Sequence, residues 1–313
     1  MTDCTPLWPN NHTPQSLPLF RQPSVDVSAT LSAPEAWLAQ YQDVWVHVAA
    51  WVADQKQPGS TPIIGIHGGQ GSGKSTLSQA LADIYRQVFQ WNTVIVSIDD
   101  LYLSHQERQA LSQSQHPLLA TRGVPGTHDV ILGQKLFRQL QQLAPGETLS
   151  MPRFDKVSDD RLPPDQWHTI TGPVDLILFE GWCVGCKPVP ESQLEIPINA
   201  LEATEDADQR WRQSVNQALA HDYHHWFEQM DRLIMLKVPD MQAVFQWRRQ
   251  QEQENRNNTL GQSDRSMDDA ALQRFIQHYE RLTLHALQAL PNQADLVLEL
   301  NPQHAVSRIT LPT

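Results

Sequence analysis

The hydrophobic pattern divides the chain into an irregular opening, one helical stretch, and then strands alternating with helices. Residues 2–34 are rich in Pro, Ser, Thr and Asn and predict an irregular arm. Over 35–55 apolar residues recur at helical spacing, through Trp37, Leu38, Tyr41, Val44, Trp45, Val48, Trp51 and Val52. Ser32 and Glu35 fit a capping box that would start this helix. KQPGST, over 56–61, ends it and links it to the first apolar run. Beyond that point, short apolar runs predict strands over 62–67, 93–98, 174–179, 232–238 and 295–300. Helical patterns fall between and after them, over 74–90, 129–143, 206–230, 241–255 and 267–290. The runs lack strict polar alternation, which is the mark of strands covered on both faces. The expectation is an α/β fold: a five-stranded parallel sheet with helices on both faces, preceded by an N-terminal helical extension. The corresponding division is 1–60 as arm and helix, and 61–313 as the main domain, with a lid around 240–265.

The first apolar run leads into Gly68, Gly69, Gln70, Gly71, Ser72, Gly73, Lys74, Ser75 and Thr76. This fits G-x-x-x-x-G-K-[ST] at every fixed position, with a strand before it and a helix after it, so the fold is that of a P-loop NTPase. Glycines let backbone N–H groups converge on phosphate oxygens, and the helix N-terminus adds partial positive charge. Lys74 would reach the β- and γ-phosphates of ATP, and the Ser75 hydroxyl would ligate Mg²⁺. Lysine is scarce in this chain, so one at this position is not background.

Two acids stand at strand ends, where ligands of parallel sheets bind. The second strand ends in Ser97-Ile98-Asp99-Asp100-Leu101-Tyr102 and the third in Phe179-Glu180-Gly181-Trp182. A carboxylate at Asp99 can accept the proton of an attacking hydroxyl or hold Mg²⁺ through water, and Glu180 suits the metal side. Asp99 or Asp100 could alternatively cap a helix, and Glu180 could occupy a surface turn. Between these strands lie two unusual loops. One runs from Thr121 to Asp129 and carries Arg122 and His128; the other runs from Met151 and carries Lys156 and Arg161. Their cations can clamp an anionic acceptor. Arg248 and Arg249, on the helix after the fourth strand, suit a lid that closes over phosphates.

Composition narrows the partners. The 313 residues are 40% hydrophobic and 19% charged, as in globular proteins, and carry a formal charge of −12. Such an acidic surface disfavours nucleic acid and membrane as partners and requires any anion site to be built locally. MTDCTPLWPNN has no basic segment or apolar core of a secretory signal, and Cys4, Cys183 and Cys186 are too few for a disulfide framework, so cytoplasm is the expected compartment. Cys183-Val184-Gly185-Cys186 has the C-x-x-C spacing, but no second pair exists to complete a zinc site, and buried apolar thiols are the favoured reading over a redox pair. His221, His224 and His225 lack a visible third ligand and fit an ordinary helix face.

The segments GGQGSGKST, SIDDLYL, RGVPGTHD, PRFDKVSDDR, LFEGW, WRRQQE and SMDDAALQRFIQHYE resemble D-glycerate 3-kinases of the plant and cyanobacterial type. These belong to the wider uridine kinase, phosphoribulokinase and pantothenate kinase group. The resemblance runs from about Pro62 to near the C-terminus. It implies an ATP- and Mg²⁺-dependent kinase for a small acceptor, D-glycerate. It also implies that Asp99 is the catalytic acid of the S-x-D-x-x-Y element, with Tyr102 beside it. Glu180 becomes the metal-side acid, Arg161 a contact to acceptor or γ-phosphate, and Arg248 a lid arginine; Lys74 and Asp99 complete the catalytic set. Arg122, His128 and Lys156 join Asp99, Tyr102 and Arg161 as acceptor-side residues. A nucleoside, pantothenate or another sugar acid is the alternative acceptor. A P-loop regulator or metallochaperone is the alternative class, and the absence of N-K-x-D argues against a GTPase.

Overall fold

A computed structural model of the protein describes residues 7–21, 35–258 and 268–311. Its centre is a six-stranded sheet. The members are β1 (Ile63–Gly68), β2 (Thr93–Ser97), β7 (Leu176–Gly181), β8 (Arg232–Lys237), β9 (Leu296–Leu300) and β10 (Val306–Thr310). Their order across the sheet is β10-β9-β8-β1-β7-β2. Five of them run parallel, as the apolar runs predict, and β10 adds an antiparallel edge on β9. The added strand escaped the pattern because VSRIT exposes part of its length and has only two buried residues, Val306 and Ile309.

Alternation within each strand explains why the runs are apolar throughout. Ile64, Ile66, Leu176, Leu178, Ile234, Leu236, Leu296 and Leu298 enter one core. Ile63, Ile177, Phe179, Leu233, Met235 and Val297 point to the other. Both faces need apolar side chains, so polar residues are confined to the strand ends, such as His67, Glu180 and Glu299.

The first core also takes the N-terminal segment. Trp8, Leu17, Phe20 and helix Val46–Ala53 pack with helix Lys74–Phe89, and Tyr85 donates its hydroxyl to the Ala49 carbonyl at 2.9 Å. The helix expected over 35–55 is broken into Glu35–Leu38, a π turn Tyr41–Trp45, and Val46–Ala53. The Trp37 carbonyl is taken by the Trp45 indole N–H at 2.9 Å, and the two rings stack at 4.6 Å. That carbonyl also accepts the Gln40 N–H at 3.1 Å, a tight turn that ends the first helix ahead of the wider π turn. Ser32, the start of the expected capping box, lies outside the described residues.

The helix expected over 206–230 is also divided, into Arg210–Ala218, a π turn Leu219–Tyr223 and His224–Phe227, with Ala200–Glu205 before it. Asp206 stands between, not inside: its carboxylate accepts the N–H groups of Trp211 and Arg212 and so caps the second helix instead of continuing the first. The pattern misses helix His105–Ser114, although Ser104 and Glu107 form a reciprocal capping box there. It also misses two small antiparallel pairs: β3 (Thr148–Met151) with β6 (His168–Thr171), and β4 (Phe154–Asp155) with β5 (Asp160–Arg161). The lid region is a helix, Met241–Asn258, and its expected continuation to 265 lies outside the described residues. Asp268 caps the following helix, Asp269–Ala289, by accepting the Ala271 N–H at 2.8 Å.

Candidate active site

The sheet order carries three strand ends to one place. β1 ends at Gly68 and passes into the phosphate loop; β7, its neighbour, ends at Glu180 and Gly181; β2, one strand further, ends at Ser97. Gly73, at φ +86°, turns the chain into helix Lys74–Phe89. Gly71, at φ +78°, is required twice over: a side chain there would also put its Cβ 2.5 Å from Cβ of Trp247. The phosphate loop therefore lies directly against the helix that carries Arg248.

A cleft of about 790 Å³ opens over these strand ends. It brings together Gln70, Gly71, Lys74, Ser75, Asp99, Tyr102, Arg122, Lys156, Glu180 and Arg248, all expected from sequence. It adds Trp182, Phe275 and Tyr279 as aromatic walls. Trp182 donates its indole N–H to the Gly123 carbonyl at 2.8 Å, and Tyr279 donates its hydroxyl to the Arg122 carbonyl at 3.2 Å. Trp182 stands in LFEGW and Tyr279 in SMDDAALQRFIQHYE, but nothing in either local pattern points to contact with the loop that carries Arg122.

Ser75 donates to Glu180 Oε1 at 3.1 Å. Glu180 is buried, and its second oxygen, Oε2, has no hydrogen-bond partner among the described residues. Asp99 accepts the Tyr102 hydroxyl on Oδ1 at 2.7 Å and the Lys156 ammonium on Oδ2 at 2.6 Å. Burial alone would push the Asp99 carboxyl up, but the charges of Lys156 and Lys74 outweigh it and hold the group well below the usual carboxylate range. Asp100 goes the other way: burial raises it, and its carboxylate instead accepts the Phe154 N–H at 3.1 Å, anchoring β4. Arg122 pairs with Asp159 and lies over the Phe154 ring at 5.5 Å. Arg248 pairs with Glu252 and lies 5.8 Å over Phe275.

Two expected acceptor-side residues do not line the cleft. Arg161 turns away and donates to the Tyr102 carbonyl at 2.8 Å and to Asp129 at 3.1 Å, so it ties β5 to the two loops behind the wall. His128 lies beneath Tyr102, its ring stacked at 4.5 Å, and bonds the Tyr223 hydroxyl through Nδ1 at 2.5 Å. That hydroxyl accepts the N–H groups of Gly126 and His128, so its own proton goes to Nδ1 and the ring proton resides on Nε2. Of the remaining loop residues, Ser72, Gly73 and Thr76 face a second cavity of about 210 Å³, with Trp37, Trp247 and His304. Gly68 and Gly69 build the loop from behind. Cys183 and Cys186 are free and buried, and burial raises both thiols, which disfavours the reactive thiolate.

Two buried histidines fix an acid limit. Burial lowers His67 to about 4, against a hydrogen bond to the Val184 carbonyl that favours its charge; burial lowers His128 to about 3, against the pull of Asp99. Below the ordinary histidine value of about 6.5, the unfolded chain takes up protons that the folded one refuses, so stability falls with pH from there towards 4. The Tm is expected to decline across that window, and His128→Asn to give a shallower decline. An acid limb of unchanged slope in the variant would show that His128 does not contribute to it.

The family model of the phosphoribulokinase/uridine kinase family matches residues 63–186. An uncharacterised kinase of Schizosaccharomyces pombe is 30% identical over 264 residues, which cover 80% of this chain and 90% of that one. The chain belongs to the phosphoribulokinase/uridine kinase family. It is thus an ATP-dependent P-loop kinase, a phosphotransferase. The family match spans the phosphate loop, Asp99, the two acceptor-side loops and Glu180, while Arg248 and Tyr279 lie beyond it. The chloroplastic D-glycerate 3-kinase of Arabidopsis thaliana is 29% identical over 284 residues, covering 84% of this chain and 59% of that longer one. A solved D-glycerate 3-kinase from Cryptococcus neoformans superposes with a TM-score of 0.70 at 24% identity, covering 85% of this chain and 98% of its own, and so shares the fold. No helix among the described residues is long and apolar enough to cross a membrane.

Proposed function

We propose that this kinase transfers the γ-phosphate of ATP to D-glycerate, giving 3-phosphoglycerate and ADP. The observation that carries the reading is the cationic wall beside Asp99. On a chain of net charge −12, Arg122 and Lys156 face the same cleft as Lys74 and the strand-end acids. A small carboxylate is the acceptor such a wall suits. The named activity of the Arabidopsis relative supports the same substrate.

In this reading Lys74 and the phosphate-loop N–H groups hold the β- and γ-phosphates, and Arg248 closes over them from the lid helix. Asp99 takes the proton of the attacking hydroxyl, oriented by Tyr102. Ser75 and Glu180 fit a Mg²⁺ ion: the unpartnered buried Oε2 of Glu180 is the kind of atom that a cation satisfies. Bound there, the ion would neutralise charge on the phosphates. The second cavity, with Trp37, Trp247 and His304 beside Thr76, suits the base end of the nucleotide.

The test is ADP release with D-glycerate against uridine at equal concentration. Turnover with glycerate is expected, and turnover with uridine alone would replace the substrate while leaving the kinase in place. Arg122→Ala should raise the KM for glycerate by at least about tenfold, because removing one partner of a shielded charge pair costs about 2–5 kcal/mol. ATP affinity should change little. An unaltered KM for glycerate would remove Arg122 from acceptor recognition.

A further inference from the structure

In this structure both carboxylate oxygens of Asp99 are engaged. One oxygen accepts the Tyr102 hydroxyl and the other accepts Lys156 at 2.6 Å. Lys156 projects from the turn between β4 and β5, where the Asp155 carboxylate accepts the N–H groups of Val157 and Ser158 and fixes the turn. The lysine side chain is 60% exposed and that of Asp99 is 34% exposed. The exposed ammonium can leave the pair readily, yet the pair, while formed, takes one of the two lone pairs of Oδ2 and leaves the carboxylate a weaker proton acceptor. A carboxylate on the acceptor, seated beside Asp99, is the natural competitor for the ammonium.

We propose that Lys156 is a latch on Asp99 that only an anionic acceptor releases. The acceptor's carboxylate takes the ammonium, and the freed Oδ2 of Asp99 then receives the proton of the acceptor's hydroxyl. This rests on the assignment of Asp99 as proton acceptor. In the transfer step, the acceptor oxygen forms its bond to the γ-phosphorus, and the bond from that phosphorus to the β,γ-bridging oxygen breaks. The electron pair leaves with ADP, and the hydroxyl proton ends on Asp99. Water and neutral polyols carry the same nucleophilic oxygen but no charge to draw Lys156 away, so with them the latch stays closed. Lys156 is thus a positioning residue that makes turnover conditional on negative charge in the acceptor and protects ATP from hydrolysis.

The experiment compares the wild-type chain, Lys156→Met, Lys156→Arg and the double variant Lys156→Met/Asp99→Asn. ADP release from ATP is measured without acceptor, with glycerol and with D-glycerate. Lys156→Met is expected to raise acceptor-free and glycerol-dependent ADP release at least about tenfold, a part of the roughly 10²–10⁴-fold that a positioned base contributes. Its kcat/KM for glycerate should fall. Lys156→Arg, which restores a cation beside Asp99, should reverse most of the gain seen in Lys156→Met, and the double variant should lose it. Hydrolysis by Lys156→Met at or below the wild-type rate would overturn the latch, and so would a gain that survives in the double variant. If the wild type ignores glycerate while Lys156→Met still hydrolyses ATP faster, the latch stands and the substrate assignment fails.

Discussion

Lys74→Ala is expected to lower kcat by about 10²–10³-fold while the protein remains folded. The magnitude is that of removing one preorganised donor from charge developing in a transition state. Lys74 begins helix Lys74–Phe89 and lines the main cleft rather than either core. Alanine is a good helix former, and the variant should melt near the wild-type temperature. The checks are kcat with saturating ATP and a thermal melt on the same preparation. A folded variant with near-normal turnover would remove Lys74 from the chemistry.

Asp99→Asn should depress kcat by about 10²–10⁴-fold, the usual contribution of a positioned general base, with a much smaller change in the KM for ATP. Asparagine keeps an oxygen for the Tyr102 hydroxyl but gives up the pair with Lys156, so the loss reports the missing carboxylate. The neighbouring Asp100 cannot readily substitute, because its carboxylate anchors Phe154. Steady-state rates over a range of ATP and glycerate concentrations separate the two parameters. Retention of most of kcat would send the search for a base to Asp100 first.

The parts of this site that were legible in the sequence are those that depend on short, fixed spacings. The phosphate loop, Asp99 and Glu180 each follow an apolar strand, and a parallel sheet gathers such ends without further information. Arg122, Lys156 and Arg248 were legible as cations in the right loops or helix. Arg161 and His128 looked equivalent to them, but their directions are set by partners remote in sequence: Asp129 for the one, Tyr223 for the other. Tyr279 was hidden for the same reason, since its hydroxyl meets a carbonyl 157 residues away. The divided helices failed for a local reason. Trp45 and Asp206 spend side-chain hydrogen bonds on nearby backbone, and hydrophobic periodicity does not register that competition.

Gln40 and Val306 are joined by two hydrogen bonds: the Gln40 amide donates to the Val306 carbonyl at 2.7 Å, and its oxygen accepts the Val306 N–H at 2.6 Å. These residues are 266 positions apart. On the ribosome, where a chain emerges at about 5–20 residues per second, the tryptophan- and valine-rich N-terminal segment is made long before Leu236, Leu298 and Ile309, the apolar residues it packs with. Helix Lys74–Phe89 can cover part of it early, but its contacts with the later strands must wait for nearly the whole of this sequence. A newly made chain therefore keeps this segment only partly covered until the last strands of the sheet have been made.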